Sequence, residues 1–574
     1  MLRKYDIILQ KYFLEGIMTH IKDIVERENH KKKIMVSIIL IAGLILGFVV
    51  KNIYHNYKEE QFFKSVKQKE IKVTPKTVKH EVSDIFTEEY QKESDNQLEK
   101  WKKDKNYNFS KPLVVQNAYG TYTTSLYYYA KTNRASYAVC TVEAEGASIY
   151  RHKLKTASGK KYVTTHEYEI IGLVPGQKNK ITMEFYNEDK RAVGKTYFYV
   201  NMPEDDVIPA VLSKNTGESK VEMSDGLFAL LGHDKANVSN IYLYDNNGVS
   251  RGRMPLNKYR TDRFLFIGKE MVYSYDFNKI AFTNRLGRVT KTIDIGNYEF
   301  HHDFMYDKKH NKILCLVNDK SKDTIEDVIV SVDVKSGKTS KLFDCEEILP
   351  LMRSLAVQRK GGLNTYGGTE LDWIHLNSFD LIDDDSLILS SREHSSLIKI
   401  KNIYDKPELD YIIHRGTIYN GTDIAKYQLK REGTLIPNAG QHTITVEHDD
   451  SLPEGQYYLY MFNNYFGRAT SIPSFDWSLY PNVGKFTKGT SYYSKFLVDE
   501  KNRTYKLEQQ FALPYSSIVS SVQHLDGNIP FSSGMSKMYG EYDKDGKLIK
   551  SFSYEANKYS YRVLKYNFKG MFFW

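Results

Sequence analysis

Three histidines, His302, His375 and His442, occupy the same position in a repeated sequence unit. Each stands just before a short apolar stretch, which an acidic or glycine-containing turn separates from a second apolar stretch. The histidines are 73 and 67 residues apart, intervals that are too long for a hairpin repeat and suit four-stranded blades with long loops. Equivalent positions in the blades of a radial β-repeat converge on one axis. We therefore expect the three imidazoles to share one pocket.

Arg392 joins this set through hairpin geometry. The segment from His375 to Arg392 has two apolar runs around a turn near Asp383, so its end residues should face each other across an antiparallel pair. Further copies of the unit, without the histidine, occur at residues 226–231 and 521–529. The repeat is degenerate, and it predicts a propeller without fixing the number of blades.

Convergent imidazoles suggest a site for a metal ion or for an anion. Histidine is the commonest metal ligand, but no HExxH motif or cysteine pair accompanies these histidines, and an arginine beside His375 would repel a cation. An arginine among histidines favours a phosphate-like or sulfate-like oxyanion. One imidazole could attack the bound anion while the others donate hydrogen bonds or carry a proton to the leaving oxygen. No nucleotide-binding motif is present, so we predict group transfer with neither cofactor nor metal.

Three neighbours of the histidines have open roles. His301 precedes His302, and alternation along a strand predicts that it lies on the opposite face. Asp303 and Asn377 could orient the histidines or cap hairpins.

The composition predicts an all-β fold in more than one domain. A chain of 574 residues should hold two or more domains, and its 45 Tyr and 28 Phe, with little helical periodicity beyond about residue 110, favour strands. Residues 108–205 are predicted to form a small β-sandwich domain, and residues 206–574 the catalytic β-propeller. Three widely spaced cysteines cannot form a disulfide framework. The net charge of +10 is not gathered in a basic stripe, which argues against nucleic-acid binding.

The N-terminal region predicts a membrane anchor. Residues 34–50 carry no charge and follow Lys31-Lys-Lys33, and a run of this length is at the low end of what spans a bilayer. The positive charges of residues 1–33 predict that this segment is cytoplasmic and that the catalytic domain is extracellular. A cleaved signal peptide is the alternative, but the Ala-x-Ala cleavage pattern is missing. Residues 51–107 are predicted to form a helical stalk, with a disordered spacer as the alternative before Pro75.

Four motifs resemble those of the bacterial aryl-sulfate sulfotransferases and occur in that family's order: Phe300-His-His-Asp303, Asp372-Trp-Ile-His-Leu-Asn-Ser378, Ser390-Ser-Arg392 and Gly440-Gln-His-Thr443. The preceding segment is similar to that family's N-terminal β-sandwich domain through Asn117-Ala-Tyr-Gly120 and His166-Glu-Tyr-Glu-Ile-Ile-Gly-Leu-Val-Pro-Gly-Gln177. The resemblance covers roughly residues 108–574. At the N-terminus this chain departs from the many relatives that have a cleaved signal.

The resemblance implies a six-bladed propeller that moves a sulfuryl group from a phenolic sulfate ester to an acceptor phenol. It implies a ping-pong route through a sulfo-histidine, without 3′-phosphoadenylyl sulfate. By motif match, His442 would be the nucleophile, while His302, His375 and Arg392 would hold the sulfuryl oxygens and manage the phenolic proton. Two other functions stay open: a non-catalytic surface propeller that binds an anionic glycan or a partner protein, and an arylsulfate hydrolase that uses water as the acceptor.

The predicted anchor leads to a test of topology. Protease added to intact cells should digest the propeller and leave a small membrane-bound N-terminal fragment, because the lysines before residue 34 orient the span and the missing cleavage pattern retains it. Immunoblotting of the membrane fraction with an N-terminal epitope tag measures this. A mature protein in the medium that begins after Val50 would overturn the anchor and leave the catalytic assignment untouched.

Overall fold

The computed structural model describes Gly43 and residues 68–233, 239–359, 361–364 and 367–574. Residues 69–187 and 193–574 form one compact unit, which contains two β-domains. Residues 1–68 and 188–192 form a second unit, most of which lies outside the described residues.

The first domain combines one helix, α1 (Glu88–Asp104), with eight described strands. The strands are β1 (Lys69–Glu70), β2 (Lys76–Thr77), β3 (Leu113–Gln116), β4 (Leu126–Glu143), β5 (Tyr150–Lys153), β6 (Val163–Ile170), β7 (Lys178–Tyr186) and β8 (Ala192–Asn201). The first part of β4 pairs with β3 and β6, and its second part pairs with β5 and β7. One long strand therefore belongs to two sheets, whose inner faces form a sandwich core around Tyr128, Met183 and Phe185.

The described part of the segment predicted as a stalk differs from that expectation. The part before residue 68 lies outside the described residues. Beyond it, β1 and β2 extend the sandwich sheets through parallel pairing with β8 and β3. Helix α1 buries Tyr90 and Leu98, and the hydroxyl of Ser94 donates to the carbonyl oxygen of Ala118 at 2.7 Å. The apolar spacing identifies the helix, but periodicity alone does not reveal that the neighbouring domain covers its apolar face.

The second domain contains the remaining described strands and two short helices, α2 (Cys345–Ile348) and α3 (Pro350–Arg353). Its first half comprises β9 (Val211–Thr216), β10 (Leu227–His233), β11 (Asn240–Tyr244), β12 (Ser250–Pro255), β13 (Leu265–Ile267), β14 (Glu270–Asp276), β15 (Lys279–Asn284), β16 (Val289–Asp294), β17 (Tyr298–Asp307), β18 (Lys312–Asp319), β19 (Val328–Asp333) and β20 (Thr339–Asp344). Its second half comprises β21 (Leu376–Asp383), β22 (Ser386–Ser391), β23 (Ser396–Lys401), β24 (Glu408–Ile413), β25 (Lys430–Glu432), β26 (His442–Glu447), β27 (Gln456–Asn463), β28 (Ser491–Asp499), β29 (Thr504–Leu513), β30 (Ser521–Val522), β31 (Ile529–Ser533), β32 (Met538–Tyr542), β33 (Leu548–Tyr554) and β34 (Ser560–Tyr566).

These strands form six sheets, and the predicted six-bladed propeller is confirmed. From the inner to the outer strand, the first blade is β34-β10-β11-β12, and the second, third and fourth blades are β13–β16, β17–β20 and β21–β24. The fifth blade is β26–β29 with β25 at its edge, and the sixth is β30–β33 with β9 at its edge. The last strand of the domain, β34, therefore completes the first blade, and its first strand, β9, completes the sixth.

The strands inside a blade are apolar on both faces because each blade lies between two others. In β18, Leu314 belongs to the apolar cluster shared with the fourth blade, whereas Ile313 and Cys315 belong to the cluster shared with the second. Such strands read as nearly continuous apolar runs instead of alternating patterns.

Within the ranges given above, no helix is long and apolar enough to cross a membrane. The span predicted at residues 34–50 falls outside those ranges apart from Gly43.

Candidate active site

Each blade contributes at least one residue to a single pocket, from its inner strand or from the segment just before that strand. In blade order these residues are Tyr561, Arg260, His302, His375, His442 and Val519. The cavity is about 140 Å³, and its lining is completed by Arg392, Phe466, Arg468, Phe486, Ile518 and Tyr559. The structure thus brings together the three histidines whose spacing predicts that they converge and the arginine that hairpin geometry pairs with His375.

The backbone takes a left-handed turn at the start of most inner strands. The φ angle is +64° at Tyr259, +60° at His302, +48° at His375, +57° at Thr443 and +58° at Val519. Side-chain-bearing residues rarely adopt this conformation, and it concentrates at functional sites. In β17, β21 and β26 the strand register also shifts here, as in a β-bulge that re-aims a side chain. The sequence repeat therefore corresponds to a repeated backbone geometry.

His442 is held as a neutral imidazole with a defined tautomer. Its Nδ1 lies 2.8 Å from Oδ1 of Asn464 and 3.1 Å from the carbonyl oxygen of Gly440. The Asn464 amide nitrogen donates to the carbonyl oxygens of Ser516 and Val519, which turns Oδ1 towards the histidine. Since both partners of Nδ1 are acceptors, Nδ1 carries the hydrogen and Nε2 keeps its lone pair. Burial lowers the pKa of His442 to about 3, so Nε2 is available as a nucleophile at neutral pH.

His375 is protonated, in contrast to the neutral His442. Its Nδ1 lies 2.8 Å from Oδ2 of Asp372 and also contacts the carboxylate of Glu326. Burial and the Arg392 charge oppose protonation, but the two carboxylates outweigh them and raise the pKa of His375 to about 9. At neutral pH His375 is therefore an imidazolium, and it can donate a proton beside the neutral His442.

His302 is a second neutral imidazole. Its ring centre lies 5.0 Å from that of His375 and 5.4 Å from that of Tyr561. Burial, together with the charge of His375, holds the pKa of His302 well below its usual value. His301 is buried outside the pocket lining, with its Nδ1 3.1 Å from Nδ1 of His302. Burial lowers the pKa of His301 to about 4, so one neutral ring donates to the other.

Arg392 is fixed from behind by two carboxylates. Its Nη2 lies 3.2 Å from Oδ2 of Asp372 and 2.6 Å from Oε1 of Glu393. Glu393 is fully buried, and its other oxygen accepts hydrogen bonds from the backbone and hydroxyl of Ser471. The backbone N–H of Arg392 donates to the carbonyl oxygen of His375 at 3.1 Å, which places the two at the end of one hairpin, as the sequence predicts.

Asp303 and Asn377 link blades and do not orient the predicted histidines. Asp303 is buried and accepts two hydrogen bonds from Arg263, at 2.7 and 2.8 Å, and two from Arg562, at 3.1 and 3.5 Å. The Asn377 amide donates to the carbonyl oxygen of Gln441 at 2.7 Å. Their roles are structural, between the first, second and third blades and between the fourth and fifth.

Sequence reasoning missed four side chains that build the site: Arg260, Glu326, Asp372 and Asn464. Only one of them left a usable signal. Arg260 precedes His302 by 42 residues, which is shorter than the histidine intervals but within the usual length of a propeller blade. A search for any polar residue at the repeat position, instead of histidine alone, would have found it.

Three groups of described residues bring three possible metal-ligand atoms within 4.8 Å of one another: His301, His302 and Glu326; Glu326, Asp372 and His375; Asp327, Asp344 and Glu346. In the third group Lys322 already binds Asp344 at 2.6 Å. In the second, the imidazolium of His375 and the guanidinium of Arg392 bind Asp372. The second and third groups are therefore ion-pair networks with the protein's own cations, and Glu326 of the first group contacts the imidazolium of His375.

The arrangement suits a tetrahedral oxyanion attached to an aromatic ring. Guanidinium and imidazolium groups bind such oxygens, and a neutral imidazole lies beside them. The rings of Phe466 and Phe486, 6.2 Å apart, provide an apolar wall on the same pocket. Phe486 is 47% exposed, so this wall lies towards the mouth and the histidines lie at the base.

Comparison with known proteins gives two family matches. The family described as Arylsulfotransferase (ASST) matches residues 213–569, and the Arylsulfotransferase Ig-like domain matches residues 113–200. Curated protein sequences give no match.

Solved structures with some likeness to the chain include two proteins at 10% identity. BamB from Moraxella catarrhalis is matched over 61% of this chain and 92% of that chain, with a TM-score of 0.28. The β-propeller domain of Cps50 (Swd1) from Myceliophteria thermophila is matched over 61% of this chain and 89% of that chain, with a TM-score of 0.29. Likeness at this level carries no statement about the activity of this chain.

The opposite protonation states of His375 and His442 are open to measurement. We expect His375 to lose its proton only near pH 9, and Asp372→Asn to move that midpoint to lower pH, because one negative charge that stabilises the cation is removed. Nitrogen NMR of histidine-labelled protein, with His375→Gln for assignment, measures both midpoints.

The exposed Asp384 provides the control, since Asp384→Asn should leave the His375 midpoint unchanged. Across the same pH range, His442 should give the signals of a neutral ring with hydrogen on Nδ1. A His375 that is already neutral at pH 7, or one insensitive to Asp372→Asn, would contradict the ion-pair account.

Proposed function

Because the chain belongs to the arylsulfotransferase family, we propose that it transfers a sulfuryl group from an aryl sulfate to an acceptor phenol. Family membership itself supports a sulfotransferase. The observation that carries the finer proposal is the neutral His442, with its lone pair on Nε2, beside the cationic His375 and Arg392. Binding alone would need no nucleophile held in one tautomer.

The first half-reaction sulfates His442. The donor's sulfuryl oxygens bind Arg392 and the imidazoles, and Nε2 of His442 attacks the sulfur. A nitrogen–sulfur bond forms as the bond from sulfur to the phenolic oxygen breaks, and the electron pair leaves on that oxygen. His375 gives its proton to the leaving phenolate. Asn464 Oδ1 accepts from the Nδ1 hydrogen of the ring, which becomes positive in this step.

The second half-reaction restores the site. The acceptor phenol enters where the first phenol left, and neutral His375 takes its proton. The phenolic oxygen attacks sulfur, the nitrogen–sulfur bond breaks, and the lone pair returns to Nε2 of His442. Proton and charge balance over the two steps, so no nucleotide, metal or other cofactor is consumed.

We also propose that this chemistry takes place outside the cell, with the chain held by the segment at residues 34–50. The charge pattern of the N-terminal sequence supports this location. A catalyst that uses no cytoplasmic nucleotide donor can work there on aryl sulfates from the surroundings.

The proposed transfer is tested with p-nitrophenyl sulfate in the presence and absence of phenol. We expect nitrophenol release to be sustained only when phenol is present, with phenyl sulfate formed in equal amount, because sulfated His442 needs an acceptor. Absorbance follows nitrophenol, and mass spectrometry follows phenyl sulfate. Sustained nitrophenol release without phenol would instead identify a hydrolase. A complete lack of release would favour the alternative of a non-catalytic propeller that binds a glycan or a partner protein.

His442→Asn should abolish turnover without unfolding the protein, because it removes the nucleophile and retains a polar side chain. Incubation with donor alone should add the mass of one sulfuryl group to the wild type and none to this variant. Peptide mapping should locate the group on His442. His310→Asn, which changes a histidine outside the pocket lining, should be sulfated like the wild type; label on another residue would reassign the nucleophile.

A further inference from the structure

Arg260 lines the pocket, and its guanidinium is held by a hydrogen bond at one edge and by an aromatic ring against one face. It comes from the second blade, and its Nε donates to Oδ1 of Asp262 at 2.9 Å. Its guanidinium carbon lies 3.7 Å from the ring centre of Tyr561, as in a stacked cation–π contact. The side chain is 17% exposed, and it lines the same cavity as the three histidines.

The outer part of this guanidinium has no partner within the described part of the chain. An arginine carries five N–H donors, and only the Nε donor of Arg260 is used there. Arg263, three residues later, instead uses Nε and Nη2 on the carboxylate of Asp303. Neither Nη atom of Arg260 is among the fully buried polar atoms without a hydrogen-bond partner, so these donors are accessible from the cavity that Arg260 lines. A ligand in that cavity can therefore accept their hydrogen bonds.

The support beneath Arg260 is rigid. The Tyr561 hydroxyl donates to the carbonyl oxygen of His302 at 3.1 Å and is 3.3 Å from that of Asn377. The ring under Arg260 is therefore tied to the third and fourth blades, and Asp262 fixes the rotation of the guanidinium above it. Donors held in place before a ligand arrives stabilise a developing charge without reorganisation.

Arg392 alone is an incomplete clamp for the sulfuryl group. Two buried carboxylates, those of Asp372 and Glu393, hold its Nη2. No carboxylate other than Asp262 forms an ion pair with Arg260 in the described residues. A second guanidinium therefore faces the cavity with less of its charge compensated.

We propose that Arg260 is a second sulfuryl-binding residue, whose two Nη groups donate to non-bridging oxygens of the group in transit. This inference rests on the proposed function. Arg260 stays protonated throughout both half-reactions, so it can bind the sulfuryl group both on the donor ester and on His442. The proton is transferred by His375. The ligand it recognises is a sulfate monoester or another tetrahedral oxyanion.

The test compares Arg260→Met and Arg260→Lys with the wild type. Methionine keeps much of the volume over Tyr561 and lacks donors, so kcat/KM for p-nitrophenyl sulfate should fall on the order of 10²-fold, as for other oxyanion donors. The inhibition constant of inorganic sulfate should rise about tenfold or more, as expected for a lost charge-assisted hydrogen bond. Lysine keeps the charge without the planar fork, and it should restore only part of each effect.

A structural role for Arg260 is separated from sulfuryl binding by two controls. Arg288→Met changes an arginine outside the pocket lining that pairs with Asp95, and it should leave turnover and sulfate inhibition unchanged. Guanidinium at millimolar concentration should partly restore turnover in Arg260→Ala, because the vacated site opens onto the cavity. Thermal unfolding of each variant shows which proteins are folded, and if Arg260→Met does not fold, Arg260→Lys carries the comparison.

The outcomes distinguish this inference from the proposal beneath it. A wild type without turnover of p-nitrophenyl sulfate would overturn the proposed function. An active wild type whose folded Arg260 variants keep the same sulfate inhibition and the same kcat/KM would overturn the role of Arg260 alone. Loss of activity with unchanged sulfate inhibition and no guanidinium rescue would also overturn it, since that combination indicates a structural residue.

Discussion

The pairing of β34 with β10 closes the ring of blades, and the pocket depends on that closure. Six residues of each strand are in register, and β9 completes the neighbouring sixth blade through β33. Without these pairs, two sheets would expose unpaired strand edges, and Tyr561 would no longer lie beneath Arg260 and beside His302. Because each blade directs its inner strand towards the same axis, residues hundreds of positions apart in the sequence line one pocket.

Within that ring, residues of one type take different chemical states because their surroundings differ. His442 hydrogen-bonds to an amide oxygen, His375 to two carboxylates, and His302 to a second imidazole. Burial disfavours the charged form in all three, and only the carboxylates beside His375 overcome it. The site therefore holds a neutral imidazole and an imidazolium side by side at neutral pH.

The sequence was informative where the repeat carried a distinctive residue type. His302, His375 and His442 could be aligned by spacing, and Arg392 followed from the symmetry of one hairpin. Arg260 was not predicted because the repeat was recognised by its histidines, and the blade that carries Arg260 has none at that position. Asn464 and Glu326 were not predicted because contacts between blades have no fixed sequence separation. The apolar spacing of Tyr90 and Leu98 likewise indicates a helix without saying that the sandwich covers it. Periodicity gives the face of an element, whereas its partner is decided by tertiary contacts.

The raised pKa of His375 offers a physical reason for transfer to phenols in preference to water under the proposed mechanism. In the second half-reaction neutral His375 must accept a proton from the acceptor, and its pKa of about 9 is close to the value of about 10 typical of a phenol. Water, with a pKa of 15.7, gives up its proton to the same base far less readily than a phenol does. Asp372 and Glu326, which raise the pKa of His375, therefore match the base to its acceptor. An imidazole without these carboxylates would be a weaker base, and the proton of a phenol would be correspondingly harder to remove.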